Sequence, residues 1–396
     1  MAVTGTDIEA FRKEVRDFLS GNLPEDVARR TRQRVHPAKD DLKEWNRILD
    51  DKGWAAPHWP IEWGGTGWSP LEQFVFEEEC ARADAPFLSY FGLRLVGPLV
   101  YNFGTQAQKD RYLADMRRGS VLWCQGFSEP TAGSDLASVR TTAVKDGDHW
   151  VINGQKTWTT EAHFADKMFC LARTNPDLRP QKGGLSIFLF DMDQPGVTVR
   201  PIITIDGGHT VNEVFIDNVR CSDEDILGQL GQGWDQAKFL LNNERVANAH
   251  VPQSKRALEL IREMAEDETF GAPALHRSDI QDKLIDLEID LMGLEWQVLR
   301  DLSGAEMDNR AAAASGMKKI GSAIQQRLSD LAVEIAGPRA MIAFPSDLDR
   351  ENEVPGESPA ILEGVGARQL FRRAATIYAG TTEIQNEIIA KQVFGL

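Results

Sequence analysis

Apolar residues recur at helical spacing near the start of the chain: Ile8, Phe11, Val15, Phe18 and Leu19, then Leu42, Trp45 and Leu49. This spacing predicts packed helices from about Asp7 to Gly119. One stretch breaks it. KGWAAPHWPIEWGGTGWSP carries too much glycine and proline for a helix, so a packed loop is expected, with Trp54, Trp59, Trp63 and Trp68 as packing groups. Beyond Val121 the period shortens to two. Asp146-Gly147 and Asn153-Gly154 read as hairpin turns on either side of HWVIN. Pro195-Gly196 separates GLSIFLFDM from VTVRPI, and VNEVFIDNV is a further strand. From about Gly233 helical spacing returns with Phe239, Leu240 and Val246, then Leu284, Leu287, Leu291 and Leu294. The segment IAFPSDLDRENEVPGESPA reads as a polar, proline-bearing loop.

Helices, then strands, then helices make a segregated α+β arrangement, not alternating βαβ units. The expected parts are an N-terminal α-helical domain over 1–120, a middle β domain over 121–227 and a C-terminal α-helical bundle over 228–396. This order excludes the usual dinucleotide-binding fold as a cofactor platform.

Charge and composition narrow the function. Among 396 residues, 60 Asp and Glu outweigh 44 Lys and Arg, and a net charge of −16 repels nucleic acid. The N-terminus MAVTGTDIEAFRKEV is acidic where a signal peptide needs an apolar core, and no apolar run approaches membrane-spanning length. A cytoplasmic protein away from membranes is expected. Cys80, Cys124, Cys170 and Cys221 are widely spaced and read as idle thiols, and the histidines show no metal-ligating spacing.

Three stretches carry candidate chemistry. In WCQGFSEPTAGSDLASVRTTA the run from Ser128 to Ser134 offers hydroxyls and backbone N–H groups suited to an anion, or it is a plain turn capped by Asp135. In INGQKTWTT, Trp158 is either core or a stacking wall for a planar cofactor. In IYAGTTEIQ, Thr382 and Gln385 have capping-box spacing, and the free N–H groups of Gly380 and Thr381 favour a phosphate at a helix start.

Together, FGTQAQKDRYL, SEPTAGSD, NGQKTWTT, NNERV and GTTEIQ resemble the acyl-CoA dehydrogenase family over essentially the whole chain. KGWAAPHWPIEWGGTGWSP and PIITIDGGHTVNEVF are similar to its pimeloyl-CoA dehydrogenase large-subunit type. The resemblance implies a helical domain, a β-barrel-like middle domain and a four-helix bundle, with FAD as cofactor. It implies an acyl-CoA substrate oxidised to the trans-2-enoyl-CoA and electron-transfer flavoprotein as acceptor. Assembly is implied too, as a homodimer, a homotetramer or a heteromer with a small subunit. Carried over by residue, Phe127 and Ser128 match positions beside the flavin pyrimidine, and Gly133 and Ser134 the loop near pyrophosphate and substrate. Trp158 matches the residue flanking the flavin, Thr160 one near its N5, and Thr381 and Glu383 a cofactor-contacting helix start. Phe270 and Gly337 match positions on the cross-subunit half of the site.

The departures are informative. The glutamate that many members carry before the last Gly-Thr is here Ala379, which accepts no proton. Other members place it on an earlier helix before an arginine, and Glu244-Arg245 occupies that place, with Glu244 as the expected base and Arg245 beside the substrate. A solvated carboxylate is the competing reading of Glu244. Asp267 stands where the family's arginine reaches a neighbouring FAD, and EIAGPRAMI replaces a Gly-Gly-Asn-Gly turn, with Arg339 a candidate substitute charge. Arg94 is either structural or a partner for a dicarboxylyl-CoA. The alternatives are a partner-dependent or non-catalytic subunit of a heteromeric dehydrogenase, an acyl-CoA oxidase, and a DNA-associated relative disfavoured by charge.

Overall fold

Asp7 opens the first helix by accepting the backbone N–H groups of Glu9 and Ala10, and α1 (Ile8–Asn22) follows. This computed structural model describes residues 7–33, 36–243, 249–268, 273–305, 309–341 and 364–396. The N-terminal layer continues with α2 (Glu25–Gln33), α3 (Lys39–Lys52), α4 (Pro70–Arg82), α5 (Gly97–Phe103) and α6 (Gln106–Arg118). Full capping boxes start α4 (Ser69 with Glu72) and α6 (Thr105 with Gln108). Between α4 and α5, Tyr90–Val96 winds as a π-helix, a wide turn that often marks functional sites. The tryptophan-rich loop packs as expected. Trp54 lies edge-on to Trp68 at 5.3 Å, and the Trp59 indole donates to Leu93 O at 2.7 Å.

Seven strands form the middle layer: β1 (Trp123–Gly126), β2 (Thr142–Asp146), β3 (His149–Thr160), β4 (Lys167–Arg173), β5 (Leu185–Asp191), β6 (Val197–Ile202) and β7 (Val211–Cys221). Their order is β1-β4-β2-β3-β7-β6, with β5 paired to β4. Asp146-Gly147 does turn the chain between β2 and β3. Asn153-Gly154 does not: it lies inside β3, at a register shift against β7. The physical reason is a close approach, because a Cβ at Gly154 would stand 2.3 Å from Thr141 Oγ1. Here glycine admits a neighbouring segment instead of bending the strand.

The C-terminal layer comprises α7 (Gly233–Asn243), α8 (Val251–Glu266), α9 (Ser278–Leu302), α10 (Arg310–Ala336), α11 (Val365–Phe371) and α12 (Thr382–Ile389). Helices α8, α9 and α10 bury Leu258, Ile261, Leu284, Leu287, Leu291, Met317, Ile324 and Leu328 in one core that Phe74 of α4 enters. A second core joins all three layers: Leu95 and Leu99, Phe169 and Ile187 of the sheet, and Ala237 and Leu240 of α7. The expected architecture, helical domain, β domain and helical bundle, is the one observed. The segment expected as a polar loop falls on residues 342–363, outside those described.

Candidate functional site

The loop after β1 is fastened to β3 by a buried ion pair. Lys156 is fully buried and donates to Glu129 Oε1 at 2.8 Å, Leu171 O at 2.7 Å and Phe127 O at 3.2 Å. Glu129 also accepts the backbone N–H groups of Arg140 (2.6 Å) and Thr141 (2.9 Å). Burial opposes its charge, but Lys156 and these donors outweigh that and hold its carboxyl below the ordinary range. Thr157 N donates to Ser128 O at 2.9 Å, which lays the loop alongside the strand. Phe127 is buried under the loop, while Gly133 and Ser134 are exposed at its tip, where a Cβ on Gly133 meets nothing within 4 Å.

Trp158 is the unusual residue. Between Lys156 and Thr159 the pairing of β3 with β7 slips, and Trp158 takes a left-handed φ of 57° with 60% of its surface exposed. A bulky aromatic in this conformation is strained, and leaving it exposed forfeits burial as well. Strain together with exposure is what a ligand-contacting residue would show. Pairing resumes with Thr159 opposite Asn212, and Thr160 stands opposite Val211. An exposed ring standing over a strand, beside a loop of open hydroxyls, suits a planar cofactor with anionic groups, so the residues fit FAD.

The terminal helix start differs from the sequence expectation by one residue. Thr381, not Thr382, is the cap: its φ and ψ are −61° and 161°, and its hydroxyl oxygen accepts from Ile384 N at 3.3 Å. Gln385 is buried, donating to Ala379 O (3.2 Å) and Gly380 O (3.3 Å) instead of closing a capping box. Ala379 takes a left-handed φ of 55°. Glu383 is exposed, held below its ordinary range first by backbone donation at the helix start and then by Thr381. No described hydrogen bond or ion pair joins Thr381 or Glu383 to the loops around Ser128 and Trp158.

Glu244, Arg245 and Phe270 lie outside the described residues. The chain on both sides of Glu244 is placed: α7 ends at Asn243, and Ala249 packs so tightly on α10 that a Cβ at Gly321 would lie 2.4 Å from Ala249 O. One turn earlier on α10, Lys318 Nζ donates to Ala375 O at 3.1 Å, just before the Ala379 turn. Helix α10 thus meets Ala249 and Ala375 on neighbouring turns. His250 follows with a left-handed φ of 51°. Burial first, then Arg372, lowers its pKa to about 4, so it is neutral at physiological pH. Gly337 ends α10 at φ 58°, ψ −140°, a region that glycine alone enters freely. Asp267 follows α8, and Arg339 is exposed after Gly337; the two ends meet through Met264, Ala336 and Ala340.

Sequence reasoning missed the anchoring pair, although Glu129 and Lys156 stand inside the two motifs it singled out. It also missed a polar knot below Trp158. Asn212 donates to Thr159 O at 3.0 Å, lies 3.2 Å from His163 Nδ1 and holds His209 Nε2 at 2.7 Å. No spacing rule pairs Asn212 with Thr159 and His163, 53 and 49 positions away.

Comparison with known proteins is consistent along the whole chain. Family models match residues 6–120 (acyl-CoA dehydrogenase, N-terminal domain), 124–219 (middle domain) and 231–394 (C-terminal domain). The chain is 37% identical over 399 residues to acyl-CoA dehydrogenase IpdE1 of Mycobacterium tuberculosis, covering 98% of each chain. Among solved structures, it superposes on the Tcur3481–Tcur3483 steroid ACAD with a TM-score of 0.83 at 27% identity, covering 100% of this chain and 99% of that one. It also superposes on the ChsE4–ChsE5 complex of Mycobacterium tuberculosis with a TM-score of 0.79 at 27% identity, again over 100% and 99% of the two chains.

Proposed function

This chain belongs to the acyl-CoA dehydrogenase family, and from that premise we propose that Glu244 is the base of an α,β-dehydrogenation of an acyl-CoA thioester. The protein is an FAD-dependent oxidoreductase of the acyl-CoA dehydrogenase type. Bound FAD supplies the hydride acceptor. Phe127, Ser128, Trp158 and Thr160 would hold its ring, with Ser134 and Thr381 toward its phosphates.

The observation that carries the reading is the exposed, strained Trp158 beside the Ser128 loop, fixed there by Lys156 and Glu129. For the proton step, the Glu244 carboxylate takes the α-proton. Ala379 leaves no competing carboxylate at the other family position, and α10 carries the contacts of both Ala249, five residues beyond Glu244 in sequence, and Ala375. Exclusion of water by the bound thioester raises the pKa of such a carboxylate and makes it a better base.

The second part of the proposal is assembly with a partner chain, and transfer of electrons to an electron-transfer flavoprotein. Asp267 stands where a cation would be wanted, so half of the cofactor site is better completed by a different polypeptide. An outward apolar stripe on α9 supports this: Ile285, Ile289, Met292 and Trp296 are 52%, 61%, 53% and 69% exposed at helical spacing. The relatives point the same way, since one solved match is a complex of ChsE4 with ChsE5. A large subunit of a heteromeric dehydrogenase acting on a bulky acyl-CoA fits better than the narrower pimeloyl type, which rests on two sequence phrases.

The test is purification with and without a co-expressed partner, followed by anaerobic addition of an acyl-CoA. Bound flavin that bleaches is the expected result. A preparation that binds flavin with its partner but bleaches with no thioester would sink the dehydrogenase reading.

A further inference from the structure

The left-handed turn at Trp158 can be traced to single side chains. Along β3 and β7, Lys156 stands opposite Val214 and Thr159 opposite Asn212. Thr157 and Trp158 therefore share one partner position, Glu213, which makes a β-bulge. A left-handed position in a bulge usually belongs to glycine, yet here it holds tryptophan at φ 57°. Such strain persists only where the neighbours over-determine the conformation.

The chain is gripped on both sides of Trp158. Two residues before it, Lys156 is fully buried and bound to Glu129, Leu171 O and Phe127 O. One residue after it, Thr159 is also buried, and its backbone carbonyl accepts Asn212 Nδ2 at 3.0 Å. The second grip is polar where the strand pattern calls for hydrocarbon. The inward positions of β7 are Asn212, Val214, Ile216, Val219 and Cys221, and Asn212 alone among them carries an amide, 0% exposed.

The direction of that amide follows from its neighbours. Thr159 O can only accept, so the NH2 group of Asn212 faces it and Oδ1 faces away. Oδ1 lies 2.7 Å from His209 Nε2, which must therefore carry a proton. The second N–H meets His163 Nδ1 at 3.2 Å, which must therefore present its lone pair. Both donors and the acceptor of the amide are thus engaged. His163 comes from the turn after β3 and His209 from the loop before β7, and their rings stack 4.2 Å apart at 30°. The Thr159 hydroxyl, by contrast, is buried with no partner among the described residues.

We propose that Asn212 is a positioning residue for the cofactor wall: by holding Thr159 O it keeps Trp158 in its exposed, left-handed setting, and the stacked His163 and His209 keep the amide in the one orientation that does so. The inference rests on the reading of Trp158 as a flavin contact and adds the residue that acts through it. An apolar side chain in place of Asn212 would fill the space without directing Thr159 O, and Trp158 would relax from its strained turn. Asn212→Asp discriminates more finely. It keeps the shape and the acceptor for His209, but its carboxylate meets Thr159 O with no proton to offer.

The experiment labels the ten tryptophans of this chain with 5-fluorotryptophan and follows them by fluorine NMR with and without FAD, in the presence of a partner chain where one is needed. Loss of a signal in Trp158→Phe assigns Trp158. Asn212→Asp should shift or broaden that signal and leave those of Trp45, Trp54 and Trp123, which sit in other cores, in place. FAD binding, measured by calorimetry, should weaken by about threefold to tenfold. In a Trp158→Gly background the same substitution should change FAD binding by less than about twofold, because the residue it acts through is gone. If Asn212→Asp does not fold, His209→Phe removes the N–H facing Oδ1 and should move the Trp158 signal in the same way. An unmoved Trp158 signal in the folded variant, or equal weakening of FAD binding with and without Trp158, would overturn the inference. A Trp158 signal that moves while Trp158→Gly leaves FAD binding unchanged would leave the positioning intact and overturn the flavin reading of Trp158 instead.

Discussion

Replacing Lys156 with methionine removes the charge that Glu129 depends on while nearly conserving volume. Lys156 is 0% and Glu129 6% exposed, so neither water nor a mobile neighbour replaces the ammonium. The variant leaves the carboxylate with two backbone donors, Arg140 N and Thr141 N, and strips Phe127 O and Leu171 O of a donor. Breaking a buried pair from one side costs about 3–5 kcal/mol, far more than the ~1 kcal/mol of an ordinary hydrogen bond. The pH dependence is a sharper signature. In the wild type the Glu129 carboxyl is depressed, so its stabilisation is present above the unfolded-state pKa and lost as pH falls through the folded value. In the variant only burial and the two N–H donors remain, and protonation at acid pH relieves the unpaired charge. The stability gap between the two proteins should therefore be largest at neutral pH and shrink on acidification. Denaturant unfolding of the apoprotein at neutral and acid pH measures it, and Glu129→Gln/Lys156→Met should recover about 1–3 kcal/mol. A deficit below about 1 kcal/mol at neutral pH, or one that does not change with pH, refutes the reasoning.

Trp158→Gly should stabilise the apoprotein by up to about 1 kcal/mol, because glycine accepts the left-handed conformation, and should weaken flavin retention; unchanged retention would remove Trp158 from the site. Glu161 is 5% exposed, and burial raises its pKa to about 7, so it costs stability as pH rises from its unfolded value toward neutrality. Glu161→Gln should thus gain up to ~3 kcal/mol at neutral pH and nothing near pH 4, whereas a gain independent of pH would refute that origin. Ile289→Lys/Trp296→Lys on α9 should abolish partner assembly in size-exclusion chromatography while shifting the chain's own unfolding by only about 0.5 kcal/mol; intact assembly would exclude this face.

The architecture was legible because the hydrophobic period changes twice, from helical to strand spacing after Val121 and back near Gly233. Asn153-Gly154 misled because the same dipeptide serves a hairpin turn or a close approach, and only the nonlocal neighbour Thr141 distinguishes them. Thr381 and Thr382 are both able caps, and the choice fell to the backbone entering from Ala379 and Gly380, both at positive φ. Candidate site segments were legible as motifs, yet their mechanics were not. Glu129 meets Lys156 across 27 positions, and Arg94 meets Glu77 across 17, through packing of separate elements. The left-handed turn that exposes Trp158 arises from a register slip between β3 and β7, which no local pattern records.

The central claim is that Glu244 replaces the carboxylate absent at Ala379. The direct measurement is the rate of anaerobic flavin bleaching by a bound acyl-CoA in the wild type and in Glu244→Gln, each normalised to its flavin content. Loss of a general base predicts a rate lower by about 10²–10⁴-fold with flavin content unchanged. Bleaching near the wild-type rate would contradict the account and place the base on another residue or on the partner chain.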